Sequence, residues 1–395
     1  MLTVLDLCPY WSYPPAGGGP LRVFNLNKEA AKFARILQFS CRPTFGHLYS
    51  GWKGWLGSRS QHITSTYYEY QYFSPLILGV GYILYKLGFH SDLFISELVS
   101  ALSPRELRNN LSESSIIQVE HPWLFKLAKG LAGGRPIIYI AHNFEAELWR
   151  NPSWSKKLVR EARLLEVDAV RSSTAVVAMS DMDAWRLTDE YGIERAKIAI
   201  IPNGVNLKEL APAGAEQKLA ARRKLGLDKR PVLLFLGSDH YPNREAVSLI
   251  RKWQSELGPR LNVQFLVVGT VGRYFQTTPF MRVEGFVKDV REYLLAADIG
   301  LNPSLSGSGV SLKTSEYLAW GLPLISTPVG VRGLELEGAN VMIGGVADFP
   351  WMIETLVTNR QSWEKHSREG RQVVEKYDWE RLGERMVEVY RRVMP

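Results

Sequence analysis

The feature that most constrains this chain is a rhythm. Short runs of aliphatic and β-branched residues alternate with longer amphipathic stretches along nearly its whole length. Residues 3–7, 116–119, 137–140, 175–178 and 198–201 form a first series of predicted strands. A second series falls at 232–236, 263–268, 281–283, 299–301 and 324–326. Helical patterns lie between them, at 156–172, 244–256, 290–296 and 310–320. Apolar strands that alternate with helices predict parallel sheets joined by right-handed crossovers. At 395 residues the chain is too long for one ordinary core. Two series therefore predict an α/β protein with two Rossmann-like halves.

The boundary between the halves is marked by Ile201-Pro202-Asn203-Gly204, a proline followed by a turn signal. The expected domains are 1–203 and 204–376, with 377–395 as a terminal amphipathic helix. Leu382, Met386, Val389 and Tyr390 share one face of that helix.

Composition narrows the partners. A hydrophobic content of 46% and a charged content of 22% suit a soluble globular protein. The net charge of +8 favours anionic partners, such as nucleotides or an acidic membrane surface. No basic block or zinc-finger spacing is present, so nucleic acid is not expected. Cys8 and Cys41 form neither a disulfide framework nor a metal set, and a reducing cytoplasm is the simplest setting. The N-terminus reads as a first strand and not as a signal peptide. Residues 72–87 are apolar but interrupted by Pro75, Gly79, Gly81 and Lys86, which predicts a buried or interfacial helix and no membrane span.

Residues 41–90 resist the rhythm. They are dense in Trp, Tyr, Gly and basic residues. Such a segment suits stacking on sugar rings, a lipid interface or single-stranded nucleic acid, and equally an excursion packed on its own domain.

Residues 302–330, NPSLSGSGVSLKTSEYLAWGLPLISTPVG, carry the most chemistry. A loop of small residues runs into a helical pattern bearing Lys313 and Glu316. Helix starts offer unpaired N–H groups and a positive dipole end to phosphate, and Lys313 adds a point charge. Glu316, three residues on, can accept hydrogen bonds from sugar hydroxyls. An anion grip beside a hydroxyl grip suggests a nucleoside diphosphate with its ribose. A tight turn with a solvated Lys and Glu is the plainer alternative.

Taken together these residues resemble the retaining GT-B glycosyltransferases of the family-4 type (glycosyl transferases group 1). The landmarks are Ala16-Gly17-Gly18-Gly19 after the first strand, VEHPW at 119–123, IPNGVN at 201–206 and FLGSDHYPNREAV at 235–247. VEGFVKDVREYLLAADIGLNPS, the 302–330 segment and the terminal YDWERL complete the set. The resemblance spans nearly the whole chain. It implies two Rossmann-like domains facing each other across a cleft, with the terminal helix crossing back to the first.

The resemblance also assigns residues. Gly18 and Gly19 correspond to the glycine loop near the donor phosphate, and His121 to the histidine against the donor sugar. His142 is its rival, and its neighbours Asn143 and Glu145 suit an acceptor. Arg244 matches one of two basic residues that neutralise the diphosphate, while Ser238 stands where the other is expected. Gly285 and Phe286 match the segment that meets the nucleobase, and Gly307, Ser308, Gly309 and Val310 the phosphate loop. Glu316 matches the ribose-binding glutamate, but Ser308 occupies the place of a second glutamate that contacts the sugar. Lys313 is expected to supply the charge that Ser238 lacks.

The implied reaction moves a sugar from a UDP- or GDP-linked donor to a glycan, lipid-linked or small-molecule acceptor, with retention. His121, Arg244 and Lys313 are the expected catalytic residues, with no cofactor beyond the donor and no metal. Asp181-Met182-Asp183 reads as D-x-D, but Ser180 and Asp183 fit a helix-capping pair better. A sugar-nucleotide epimerase of the same fold and a non-catalytic binding subunit are the alternatives. The expected location is the cytoplasm, with peripheral contact at the inner membrane face.

Overall fold

A computed structural model describes residues 1–15, 17–41, 57–87, 89–145, 156–306, 310–336 and 340–394. The chain divides into two compact units. The first comprises Met1–Asn203 with Trp379–Pro395, and the second Gly204–Asp378.

The first unit is built on a sheet of eight strands. They are β1 (Thr3–Cys8), β2 (Arg35–Cys41), β3 (Arg59–His62), β4 (Tyr67–Tyr72), β5 (Ile116–Glu120), β6 (Ile137–Ile140), β7 (Ala175–Ala178) and β8 (Ile198–Ile200). Their order is β3-β4-β2-β1-β5-β6-β7-β8, parallel throughout except for the β3–β4 pair. The strands from β1 and from β5 to β8 coincide with the predicted apolar runs. The others do not, and their chemistry explains it. In β4, Tyr67, Glu69 and Gln71 point inward. Glu69 accepts from the Ser12 and Tyr13 amides at 2.7 and 3.0 Å and from the Ser40 hydroxyl at 2.7 Å. A buried face that is polar but fully bonded leaves no apolar periodicity to read.

Within the 72–87 stretch, Pro75–Lys86 is a helix, and Leu76, Tyr82 and Ile83 on it are exposed, as is Leu87 just beyond it. Much of the aromatic segment, residues 42–56, lies outside the described residues. Among the described residues no helix is long and apolar enough to cross a membrane. The terminal helix, Trp379–Val393, belongs to the first unit and buries Leu382, Met386, Val389 and Tyr390. It packs on the helix Gly18–Ala30. Gly383 permits that approach, since a Cβ there would stand 2.5 Å from the Glu29 Cβ.

The second unit has six parallel strands: β9 (Val232–Leu236), β10 (Gln264–Val268), β11 (Met281–Val283), β12 (Ile299–Asn302), β13 (Leu324–Ser326) and β14 (Met342–Ile343). Their order is β11-β10-β9-β12-β13-β14. The VLLFL run of β9 is wholly buried, as sheets covered on both faces require. The helix Tyr241–Leu261 extends beyond the predicted 244–256 at both ends, and Leu312–Ala319 is shorter than the predicted 310–320.

Each strand order reverses once, between β1 and β5 in the first unit and between β9 and β12 in the second. At such switch points neighbouring loops diverge and leave a crevice beyond the carboxyl ends of the strands. Gly18, Gly19 and His121 follow β1 and β5, and Arg244, Lys313 and Glu316 lie on the helices after β9 and β12, while His142 follows β6 and Gly285 and Phe286 follow β11.

Candidate active site

In the first unit, Gly18 opens a helix directly after Gly17, whose φ of 88° suits glycine. Gly19 lies against Tyr10, where a Cβ would stand 2.8 Å from the phenolic oxygen. That phenol hydrogen-bonds His121 Nε2 at 3.2 Å, so the glycine loop and His121 meet through Tyr10.

His121 follows β5 with φ 65° and ψ 163°. That region is essentially reserved for glycine and costs on the order of 1–3 kcal/mol for another residue. Three contacts hold the ring. Besides Tyr10, Nδ1 pairs with Glu145 Oε1 at 2.9 Å, and the His142 ring stacks at 4.1 Å with planes 9° apart. His142 Nε2 in turn pairs with the Glu120 carboxylate. Burial, reinforced by His121, lowers the His142 pKa to about 4, so this imidazole stays neutral. Asn143 is half-buried, and its side chain has no hydrogen-bond partner among the described residues.

A polar network backs these residues. Gln118 donates to Glu120 at 2.7 Å and to Asn27 at 3.3 Å, and Asn27 donates to Asp6 at 2.7 Å. The Tyr390 hydroxyl donates to Gln118 at 2.7 Å, which ties the terminal helix to the network. Burial, and then the Glu120 charge, push the Asp6 carboxyl well above its usual range. Arg22 caps the end of the unit by donating to the Ile201 and Pro202 carbonyls at 2.5 and 2.6 Å. None of Tyr10, Asp6, Asn27 and Gln118 stands out in the sequence. Glu120, placed directly before His121 at the end of a buried strand, is the one visible signal.

In the second unit, Lys313 and Glu316 lie on the helix Leu312–Ala319, which follows β12. Both are half-buried. The Lys313 ammonium donates to Asn243 Oδ1 at 2.8 Å and sits 4.2 Å from the centre of the Phe235 ring. Burial lowers its pKa to about 7 despite the neighbouring Glu316. Burial likewise raises Glu316 to about 7 against the pull of Lys313. Among the described residues the Glu316 carboxylate has no hydrogen-bond or ion-pair partner.

Arg244 lies on the helix that follows β9, within the same unit. Its Nε is 3.3 Å from Asp239 Oδ1. Asp239 Oδ2 is 3.2 Å from Arg273 and accepts from the Tyr274 hydroxyl at 3.0 Å. Both guanidinium groups stand over the Tyr274 ring, at 4.7 and 5.6 Å. Arg273 is therefore a second cation beside Arg244, which the position of Ser238 alone does not reveal. Gly285 follows β11 and its carbonyl accepts from the Gly269 amide at 3.1 Å, while Phe286 is exposed. Gly307, Ser308 and Gly309 lie outside the described residues, and Val310 is the first described residue after them.

The D-x-D segment serves a cap. Ser180 accepts from the Asp183 amide at 3.1 Å, and its hydroxyl donates to the Asp183 carboxylate at 2.7 Å. Among the described residues no three His, Cys, Asp or Glu side chains converge as a metal site.

Two α/β units of this topology share the GT-B fold of known glycosyltransferases. The chain belongs to the family-4, group 1 glycosyltransferases. It matches the model for glycosyl transferases group 1 over residues 230–359 and that for glycosyltransferase family 4 over residues 78–209. A GDP-mannose-dependent mannosyltransferase of Corynebacterium glutamicum, acting on monoacylated phosphatidylinositol monomannoside, is 28% identical over 194 residues, 41% of this chain and 51% of the relative. The chain thus spans about half the length of that relative. The D-inositol 3-phosphate glycosyltransferase of Rhodococcus erythropolis is 24% identical over 74% of this chain and 71% of its own. An Escherichia coli galactosyltransferase acting from UDP-Gal on GlcNAc-diphosphoundecaprenol is 26% identical over 51% of this chain and 54% of its own.

Among solved structures, sucrose-phosphate synthase from Thermosynechococcus elongatus superposes with a TM-score of 0.73 at 15% identity, over 99% of both chains. HepE from Anabaena in complex with UDP-glucose gives 0.69 at 14%, over 99% of this chain and 100% of that one. At that identity the likeness is one of fold.

Proposed function

We propose that the protein transfers a sugar from a UDP- or GDP-linked donor to a lipid-linked or other glycan acceptor, with retention at the anomeric carbon. The observation that carries this reading is the Lys313–Glu316 helix beside β12: a desolvated cation and a carboxylate without a hydrogen-bond or ion-pair partner among the described residues, at a switch point. Glu316 suits the two ribose hydroxyls, and Lys313 the diphosphate. Arg244 and Arg273 add charge to the diphosphate, and both are held by Asp239, which a more highly charged diphosphate can displace.

Charge grows on the departing diphosphate as the C1–O bond breaks, so prearranged cations supply most of the catalysis. The acceptor hydroxyl oxygen bonds to C1 on the same face, and its proton passes to the leaving phosphate oxygen. No enzyme nucleophile is required. His121 contacts the sugar, and His142 and Asn143 serve the acceptor side. The relatives' names carry mannosyl, galactosyl and inositol-phosphate chemistry, which supports a phosphorylated or lipid-linked acceptor. The exposed Leu76, Tyr82, Ile83 and Leu87 support peripheral contact with the cytoplasmic membrane face.

Acceptor-dependent release of UDP or GDP from a donor panel tests the reading, and the anomeric coupling constant of the product tests retention. No release across donors and lipid acceptors would sink it. A second reading, epimerisation of the nucleotide sugar, draws on the two imidazole–carboxylate pairs. It requires consumption of donor without acceptor.

A further inference from the structure

Glu145 is held at both its side chain and its backbone. Its carboxylate is buried, with 3% of the side chain exposed, and Oε1 lies 2.9 Å from His121 Nδ1. Its backbone amide donates to Glu166 Oε1 at 3.0 Å, and Glu166 Oε2 accepts from the Tyr191 hydroxyl at 2.6 Å. One buried carboxylate thus anchors the segment that delivers another. The receiving residue has a strained backbone, with φ 65° at His121, and 13% of its side chain is exposed.

A carboxylate accepts, so Nδ1 carries the hydrogen of this contact, and in the neutral ring Nε2 keeps its lone pair. In the free protein that lone pair faces the Tyr10 hydroxyl at 3.2 Å. Tyr10 itself rests against Gly19. The stacked His142 ring bonds to Glu120 and so leaves the Glu145 pairing undisturbed.

We propose that Glu145 is a positioning residue, which locks His121 in the Nδ1–H tautomer so that Nε2 accepts a hydrogen bond from a substrate hydroxyl. The inference rests on the reading of His121 as a sugar contact. With the tautomer reversed, Nε2–H would donate, and a hydroxyl would have to turn its lone pair toward the ring. Holding a ring by a partner on its far nitrogen is the logic of oriented imidazoles in general. Tyr10 keeps the accepting nitrogen satisfied until a substrate hydroxyl takes its place.

The test is long-range ¹H–¹⁵N NMR of histidine-labelled protein, with the His121 signals assigned through His121→Gln. The wild type should show a pyrrole-like Nδ1 and a pyridine-like Nε2, and Glu145→Ala should show mixed tautomers. In kinetics, Glu145→Ala should lower kcat roughly ten- to a hundredfold with KM for the donor within about twofold. Glu145→Gln, whose amide oxygen can still accept from Nδ1, should recover part of the loss and serves where the alanine variant fails to fold. A protonated Nε2 in the wild type would overturn the proposal. So would a tautomer indifferent to Glu145, or an unchanged kcat. The tautomer measurement needs no substrate, so its failure is distinguishable from failure of the transfer reading.

Discussion

The two switch points differ in how their charged groups are satisfied. In the first unit the site closes on itself: His121 answers Tyr10 and Glu145, and His142 answers Glu120. In the second unit Glu316 has no partner among the described residues, and Lys313 has a single neutral acceptor, Asn243. Buried polar groups without partners are costly, and proteins keep them where a ligand completes the set. On the proposed reading the first site is a preset frame and the second a socket for a charged, hydroxyl-bearing ligand.

The largest expected effect lies in the frame. Glu120→Ala leaves His142 and Gln118 facing an emptied, buried position. Each of these two buried donors, left without its acceptor, should cost about 1–3 kcal/mol in urea unfolding. A loss below about 1 kcal/mol would break the comparison, because the frame would then be dispensable.

The socket should respond in function and not in stability. Lys313→Ala is expected to slow turnover about 100- to 1,000-fold, equivalent to about 2.7–4 kcal/mol. Its unfolding midpoint should stay level or rise, since a desolvated ammonium has been removed. A turnover loss matched by a drop in stability would place Lys313 with the frame.

Glu316→Gln should weaken nucleoside diphosphate binding by about 1.5–3 kcal/mol, the worth of hydrogen bonds to a charged group. The pH profile sharpens this. Lys313 is charged below its pKa of about 7, and Glu316 is charged above its own of about 7. Affinity should therefore peak near neutrality and approach a roughly tenfold fall per unit on either side. In Glu316→Gln the acidic limb should vanish and the alkaline limb remain. A profile flat from pH 5 to 9 would contradict both assignments.

The smallest effect separates cap from metal clamp. Ser180→Ala should cost about 1 kcal/mol of stability and leave turnover unchanged.

Much of the fold is legible because parallel strands buried on both faces advertise themselves as apolar runs, as VLLFL and AVVA do. The strands β2 and β4 are hidden because their buried positions include Gln38, Ser40, Glu69 and Gln71, which satisfy one another, and β3, RSQH, has no apolar residue. The aromatic alternation of YYEYQY is the surviving trace. The site divides the same way. His121, His142, Arg244, Lys313 and Glu316 stand in motifs that can be read directly. Their partners are brought from afar by the topology: Tyr10 reaches His121 across 111 residues, and Arg273 joins Arg244 through Asp239 and the Tyr274 ring. No local pattern encodes such meetings.

The central claim is that the second unit's socket holds a nucleoside diphosphate. Calorimetric titration of wild type and Lys313→Ala with UDP and GDP tests it most directly. One saturable site is expected in the wild type for at least one of the two, weakened about 100-fold or more in the variant with no loss of thermal stability. Equal affinity in both proteins, or no binding of either nucleotide by the wild type, would contradict it.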